Sequence, residues 1–282
     1  MSARINYEQE YNNRGNVPEH PQIFERRDRD AKAYRAAMPK AELGVTYGDS
    51  PRRFFDIFPS AEANAPVAMF IHGGYWSMGE PAMYSHIAKG LNGNGVTVAI
   101  AGYDLCPAVT MDAIIDCTRS AVLALWRRYK RRIFVYGHSA GGHLAACMVG
   151  TQWSKLASDA PDDTVAAGYA ISGIYDLAPI VIVSQNKTLN LDQQSAYFAS
   201  PVHWKVPAKR KLDAVVGALE TSEFRRQSRD ITKAWRARGC ETRYEEIPGA
   251  NHFTVIEPLS DPSSAMSKRV AELAQQTAAM AL

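Results

Sequence analysis

A serine between two glycines is the feature of this sequence with the clearest chemical meaning. Residues 137–141 read Gly-His-Ser-Ala-Gly, a G-x-S-x-G spacing that places a serine at a sharp turn between a strand and a helix. Glycines two positions away avoid clashes across such a turn. The helix that follows directs free N–H groups and its positive dipole end at the reacting oxygen. We therefore predict that Ser139 is a nucleophile and that the Ala140 N–H helps to stabilise an oxyanion.

The residues around this motif fit the predicted turn. The apolar run Ile133-Phe134-Val135-Tyr136 comes directly before it and predicts a buried strand, and the segment from His143 to Gln152 predicts a helix. The alternative role for Ser139 is that of an N-cap serine on a buried helix. That alternative loses weight because the other parts of a serine hydrolase are also present.

A second glycine-containing segment follows an earlier apolar strand, predicted over Val67 to Ile71. Residues 72–76 read His-Gly-Gly-Tyr-Trp. Glycines let the backbone pass close to a substrate and turn its N–H groups inward, and this loop supplies half of the oxyanion hole in hydrolases with a nucleophile elbow. We expect Gly73, Gly74 and Tyr75 to form this half, with the N–H groups of Gly74 and Tyr75 as donors. His72 is expected to brace the loop by hydrogen bonds.

The base and the acid should follow the serine along the chain, the acid first. Only His252, among seven histidines, follows a late strand, predicted over 242–247. Glu220 lies in the loop after the preceding predicted strand, 212–216, and is the expected acid; Glu223 is the alternative. A carboxylate at this place fixes the histidine tautomer and stabilises the imidazolium ion.

Strand-like and helix-like segments alternate over most of the chain, which predicts a mostly parallel sheet with helices on both faces. With the two loops above, this pattern predicts an α/β-hydrolase fold. We expect an N-terminal arm at 1–40 that packs on the core and contains a helix from Pro21 to Met38. The hydrolase domain should span 41–282. Residues 173–208 lose the regular alternation and are expected to form a short cap insertion.

The composition is that of an ordinary globular protein. The 282 residues carry a net charge of +3, which argues against nucleic-acid and membrane partners. Four cysteines without C-x-x-C spacing and an N-terminus without an apolar stretch favour a reduced, cytoplasmic location. No metal-binding or nucleotide-binding motif occurs, so we expect no metal and no cofactor. The expected partner is a small-molecule substrate, and the chain is expected to be a monomer or a homodimer.

Several of these segments resemble the kynurenine formamidase (arylformamidase) group of the α/β-hydrolases. Residues 72–76 resemble its HGGxW motif, and 137–143 resemble its nucleophile elbow. Residues 220–228 resemble its D-S-x-E-F-x-x-Q-S segment, with Glu220 where an Asp usually stands. Residues 11–14, Tyr-Asn-Asn-Arg, resemble the lead-in of bacterial members. The resemblance implies hydrolysis of a small N-formyl or N-acyl aryl amine, or an ester, through an acyl-enzyme.

The residues that shape the pocket are less determined by the pattern. Trp76, Tyr175 and Phe253 adjoin motif positions and could form an aromatic slot with Tyr75, or they could pack in the core. The lead-in at 11–14 could fold back over the site, or it could form a loose terminus.

Two other functions remain open at this point. A carboxylesterase of the hormone-sensitive-lipase type usually has a third glycine where Tyr75 stands. A catalytically silent scaffold that binds a ligand usually lacks a member of the triad, whereas here all three positions are occupied.

Overall fold

An eight-stranded sheet forms the centre of the computed structural model, which describes residues 5–280. The strands lie in the order β1-β2-β4-β3-β5-β6-β7-β8. The pairs β1–β2 and β2–β4 are antiparallel, and all other neighbours are parallel. The strands are β1 (Glu42–Thr46), β2 (Phe54–Phe58), β3 (Val67–Ile71), β4 (Thr97–Ala101), β5 (Ile133–His138), β6 (Ala167–Ile171), β7 (Lys211–Gly217) and β8 (Glu241–Ile247).

Helices cover both faces of this sheet. The central strands β3, β4, β5 and β6 are buried throughout, as strands covered on both faces must be. Alternate side chains of β3 face two separate apolar layers. Met69 and Ile71 belong to one layer with the helices at 111–129, 140–150 and 222–236, whereas Ala68 and Phe70 belong to the other with the helices at 88–92 and 265–279. The helices are α1 (Tyr7–Glu10), α2 (Asn13–Asn16), α3 (His20–Ala37), α4 (Ala88–Asn92), α5 (Met111–Tyr129), α6 (Ala140–Gly150), α7 (Asn186–Leu189), α8 (Gln193–Phe198), α9 (Ser222–Arg236) and α10 (Ala265–Ala279).

The predicted fold class is confirmed, and the structure contains one strand that the sequence pattern does not indicate. Strand β1 lies at the edge of the sheet and is largely exposed, so it has no apolar run. The chain before α4 forms a 3-10 helix over Pro81–Ile87.

The N-terminal segment is folded against the rest of the chain from residue 5 onwards. Tyr11 is fully buried in the larger apolar cluster, so the alternative of a loose terminus is wrong for the described residues. The cap insertion contains the short helices α7 and α8 between two 3-10 turns. The Glu8 carboxylate ties the segment to this cap by accepting hydrogen bonds from the N–H and the hydroxyl of Ser184. No helix within residues 5–280 is long and apolar enough to cross a membrane.

Candidate active site

Ser139 lies at the sharp turn between β5 and α6. Its φ of +56° is in the left-handed region that a residue other than glycine rarely adopts. A Cβ on Gly137 would come within 2.2 Å of the Gly141 carbonyl oxygen. A Cβ on Gly141 would come within 1.8 Å of the carbonyl oxygen of Ile71 on the neighbouring strand. Both glycines are therefore required for the turn to close.

A continuous line of hydrogen bonds joins the predicted nucleophile, base and acid. His252 Nε2 lies 3.0 Å from Ser139 Oγ, and His252 Nδ1 lies 2.6 Å from Glu220 Oε2. The second oxygen of Glu220 accepts hydrogen bonds from the Ser172 hydroxyl and, at 2.7 Å, from the Gly217 N–H. All three predicted residues are buried. The structure thus brings together the hydrogen-bond geometry that a Ser–His–acid triad needs.

The alternative acid, Glu223, lies elsewhere. Its carboxylate accepts a hydrogen bond from the Tyr11 hydroxyl at 3.0 Å. It also receives two from the Arg226 guanidinium, at 2.7 and 2.8 Å. Glu223 therefore holds the N-terminal segment and does not reach His252.

His138, the variable residue before the serine, supports the loop that carries the base. Its Nε2–H donates to the main-chain oxygen of His252 at 2.7 Å. Complete burial and the nearby His252 keep the pKa of His138 well below its usual value. A neutral imidazole here fixes the base loop without placing a second charge beside His252.

The glycine loop after β3 passes directly against the nucleophile. A Cβ on Gly73 would lie 2.9 Å from the His138 carbonyl oxygen and 3.1 Å from the Ser139 Cβ, so a side chain there would force the nucleophile turn to shift. Gly74 has a φ of +120°, and Tyr75 has a φ of +49°. Within residues 5–280, the main-chain N–H groups of Gly73, Gly74, Tyr75 and Ala140 donate no hydrogen bond. These four donors are available to a ligand.

His72 braces this loop, as expected. Its Nδ1–H donates to the Gly73 carbonyl oxygen at 2.8 Å, and its ring stacks on Tyr103 at 4.3 Å. The Tyr103 hydroxyl in turn donates to the His72 carbonyl oxygen at 2.8 Å. Burial lowers the pKa of His72 to about 4, so the ring is neutral at pH 7.

Trp76, predicted as a substrate-binding or core residue, packs in the core and does not line the cavity above Ser139. It is fully buried, and its φ is +52°. Its indole N–H donates to His143 Nδ1 at 3.1 Å, and His143 Nε2–H donates to the Ala199 carbonyl oxygen at 2.7 Å. The chain of bonds ties the glycine loop to α6 and to the cap. Burial lowers the pKa of His143 to about 4, which keeps this donor and acceptor pattern fixed.

Tyr175 is likewise a core residue and not part of a slot. It is fully buried beside the main chain of β6, and the cavity does not reach it. Its N–H and that of Asp176 both donate to the side-chain oxygen of Gln227, at 2.9 and 2.8 Å. Tyr175 therefore fixes the start of the cap rather than the substrate.

A cavity of about 540 Å³ opens above Ser139 and His252. This volume is typical of small-molecule sites. Phe253 and Tyr75 line it, as expected, and Phe24 and Tyr84 add two aromatic rings that no motif indicated. Phe24 and Phe253 pack edge to face, with ring centres 5.0 Å apart.

The N-terminal segment forms part of the cavity wall and touches the surrounding loops. It contributes Asn12, Asn13, Arg14 and, from α3, Phe24, Arg27 and Asp28. The Tyr75 hydroxyl donates to the main-chain oxygen of Tyr11. The Glu10 carboxylate accepts from the Glu223 N–H at 2.9 Å and so caps the start of α9, directly after the acid loop.

Two supporting residues escaped the sequence analysis. Ser172 holds Glu220 from the end of the neighbouring strand β6, where parallel strands bring their carboxyl ends together. Because parallel strands end at one edge of the sheet, the position of Ser172 after β6 could have indicated this contact from the sequence. For Phe24 no such signal exists, because it lies on a polar helix far from any motif.

Comparisons with known proteins show the family to which the chain belongs. The family profile of the alpha/beta hydrolase fold matches residues 68–256, and the protein belongs to that family. A kynurenine formamidase from Salmo salar is 32% identical over 229 residues, which cover 78% of this chain and 77% of that protein. A kynurenine formamidase from Danio rerio is 28% identical over 235 residues, covering 80% and 79%.

A solved structure is also similar over almost its whole length. It comes from Silicibacter sp. TM1040, is described provisionally as a thioesterase, and is 29% identical with a TM-score of 0.82. The match covers 95% of this chain and 99% of that one. The chain is therefore a kynurenine formamidase-like hydrolase, an enzyme that cleaves an amide or an ester.

Proposed function

We propose that this enzyme hydrolyses a small N-formyl or N-acyl aryl amine, of the kind represented by N-formylkynurenine, through an acyl-enzyme. The observation that carries the proposal is the line of hydrogen bonds from Ser139 through His252 to Glu220, at the base of a cavity with aromatic walls. The relatives named as kynurenine formamidases support the same substrate class.

The residues divide the reaction into two half-reactions. His252 takes the proton of Ser139 as Oγ attacks the acyl carbon, and the free N–H groups at Gly74, Tyr75 and Ala140 stabilise the oxyanion. The C–N bond then breaks, and His252 gives its proton to the leaving amine. Water, activated by His252, attacks the ester of Ser139 and releases the carboxylic acid.

An ester or thioester substrate is the second candidate. The same triad geometry serves either bond, and the similar Silicibacter structure carries a thioesterase description. The cavity favours the aryl amide, because Phe24, Phe253 and Tyr84 offer flat apolar surfaces to an aromatic ring.

The test is a substrate panel combined with Ser139→Ala. N-formylkynurenine, other N-acyl aryl amines and p-nitrophenyl esters of two to twelve carbons are compared by kcat/KM. Ser139→Ala should lower kcat by about 10⁴ or more with an unchanged melting temperature, and it should abolish fluorophosphonate labelling. A variant within tenfold of wild type would remove Ser139 from the mechanism. Long-chain esters ahead of every aryl amide would favour the second candidate.

A further inference from the structure

The charges around the cavity are not balanced. Its wall contains three ionised side chains, those of Arg14, Arg27 and Asp28. Asp28 already pairs with Lys32, at 2.6 Å. Neither arginine forms an ion pair with a carboxylate of the chain between residues 5 and 280. The cavity wall therefore carries two arginines that form no ion pair with any carboxylate among residues 5–280.

Arg14 is the more accessible of the two cations. Its side chain is exposed, and among the described residues its guanidinium makes one hydrogen bond, to the Met78 sulfur at 3.3 Å. A thioether is a weak acceptor, so this contact leaves the donors of Arg14 largely unused. A carboxylate forms a much stronger hydrogen bond with a guanidinium group than a thioether does, so a substrate carboxylate would displace the Met78 sulfur from Arg14.

Arg27 adds a buried cation to the same wall. It is 8% exposed, and burial lowers its pKa from the usual value. One N–H donates to the Phe253 carbonyl oxygen, while its Nε has no hydrogen-bond partner. Glu257, the nearby carboxylate, pairs with Arg26. An anion in the cavity would offset part of the cost of burying this charge.

A row of rings connects Arg14 to the base. The Arg14 guanidinium lies 5.9 Å from the centre of Phe24, and Phe24 packs on Phe253 at 5.0 Å. Phe253 follows His252 in the chain, with ring centres 5.5 Å apart. A general acid must lie beside the leaving group that it protonates, so the aromatic amine lies on this side.

We propose that Arg14 is a specificity-determining residue that binds a carboxylate on the leaving-group side of the substrate. The preferred substrate is then an aryl amide whose aromatic amine carries an anionic group. Its ring lies along Phe24 and Phe253, and its carboxylate meets the Arg14 guanidinium. The inference rests on the proposed function and specifies its substrate class.

The experiment compares substrates that differ only in charge. N-formyl anilines with a carboxylate on the ring, or on a short alkyl chain from the ring, are each paired with the primary amide of the same size. A second set of pairs replaces the formamide with an acetate ester. The proteins are wild type, Arg14→Gln, Arg14→Lys and Arg29→Gln. Arg29 is the matched control because it lies on α3, is exposed and does not line the cavity.

In the wild type, the best anionic substrate should exceed its neutral partner in kcat/KM by about tenfold or more. Arg14→Gln should lower that ratio by about tenfold, mainly through KM, because the contact forms in the ground state as well. Arg14→Lys should recover part of it, and Arg29→Gln should leave it unchanged. The preference should shrink as salt is raised from 0.02 to 0.5 M, since Arg14 is exposed.

Two results would overturn the proposal: no anionic substrate preferred in the wild type, or an equal loss on charged and neutral substrates in Arg14→Gln. If the enzyme hydrolyses only the esters, the amide part of the proposed function is wrong. The preference for anionic over neutral substrates is then still measured from the ester pairs. Calorimetry measures the affinities for 4-aminobenzoate and 4-aminobenzamide, and their ratio gives the preference for the negative charge without catalysis. Equal affinities for these two amines would also count against Arg14.

Discussion

Glu220→Gln tests the proposed mechanism most directly, because the structure fixes how the new amide must lie. One oxygen of Glu220 accepts two hydrogen bonds, from the Ser172 hydroxyl and the Gly217 N–H. The amide oxygen of a glutamine would keep both. Its NH₂ group would then point at His252 Nδ1, which now interacts with Glu220 Oε2.

The consequence for catalysis follows from the histidine tautomer. An NH₂ group facing Nδ1 requires that Nδ1 accept, so the proton of His252 moves to Nε2 and that atom can no longer take the proton of Ser139. We expect kcat to fall by about 10²–10⁴ with a small change in KM. This loss corresponds to about 3–5.5 kcal/mol of transition-state stabilisation. The melting temperature should change little, because the amide retains the buried hydrogen bonds.

Two further variants sharpen the result. Glu220→Asp keeps the charge but shortens the side chain by roughly 1.5 Å, which stretches a 2.6 Å contact out of range and should cost about 10²-fold in kcat. Glu223→Gln is the matched control and should leave kcat within a few fold. Steady-state kinetics on the best substrate of the panel provides the measurement. A Glu220→Gln enzyme within tenfold of wild type, or a greater loss in Glu223→Gln, would refute the assignment of the acid.

Two other predictions concern stability. Tyr11→Phe removes a buried hydroxyl that donates to Glu223 and accepts from Gln227, each at 3.0 Å, and should lower the free energy of unfolding by about 1–3 kcal/mol. Urea unfolding measures this free energy, and Tyr7→Phe is the control because the ring of Tyr7 stacks on Tyr11. Equal losses in the two variants would show that the hydroxyl of Tyr11 does not anchor the N-terminal segment. Burial lowers the pKa of His143 from 6.5 to about 4. Between these two pH values the unfolded chain binds a proton that the folded protein does not. The free energy of unfolding is therefore highest above pH 6.5 and falls as the pH drops toward 4. His143→Gln should reduce the slope of stability against pH in this window by about 1.4 kcal/mol per pH unit, and an unchanged slope would show that His143 titrates normally.

The sequence was sufficient to predict that Ser139, Glu220 and His252 meet, because each follows a strand and parallel strands end at one edge of the sheet. It could not separate Glu220 from Glu223 by position alone, since both follow β7 within a few residues. The partner that draws Glu223 away is Tyr11, 212 positions distant in the chain. No local pattern contains that contact.

The predicted aromatic slot illustrates a second limit. Tyr75 and Trp76 are neighbours in the sequence, but both have left-handed backbone angles and their side chains diverge. One lines the cavity, and the other bonds to His143 behind the nucleophile. Adjacency to a motif does not determine the direction of a side chain, because that direction depends on the conformation of the whole folded loop.

The N-terminal segment links three parts of the site that no short stretch of chain connects. It meets the glycine loop through the Tyr75 hydroxyl, the start of the acid helix through the Glu10 carboxylate, and the cap through Glu8 and Ser184. These parts follow β3, β7 and β6, respectively, so the sheet fixes where each loop begins but not the position of the loop itself. A shift of about 1 Å in a catalytic group can cost 10²-fold in rate. The segment therefore supplies cross-links that hold the glycine loop and the loop of Glu220 at fixed separations, while its Arg14 lines the cavity.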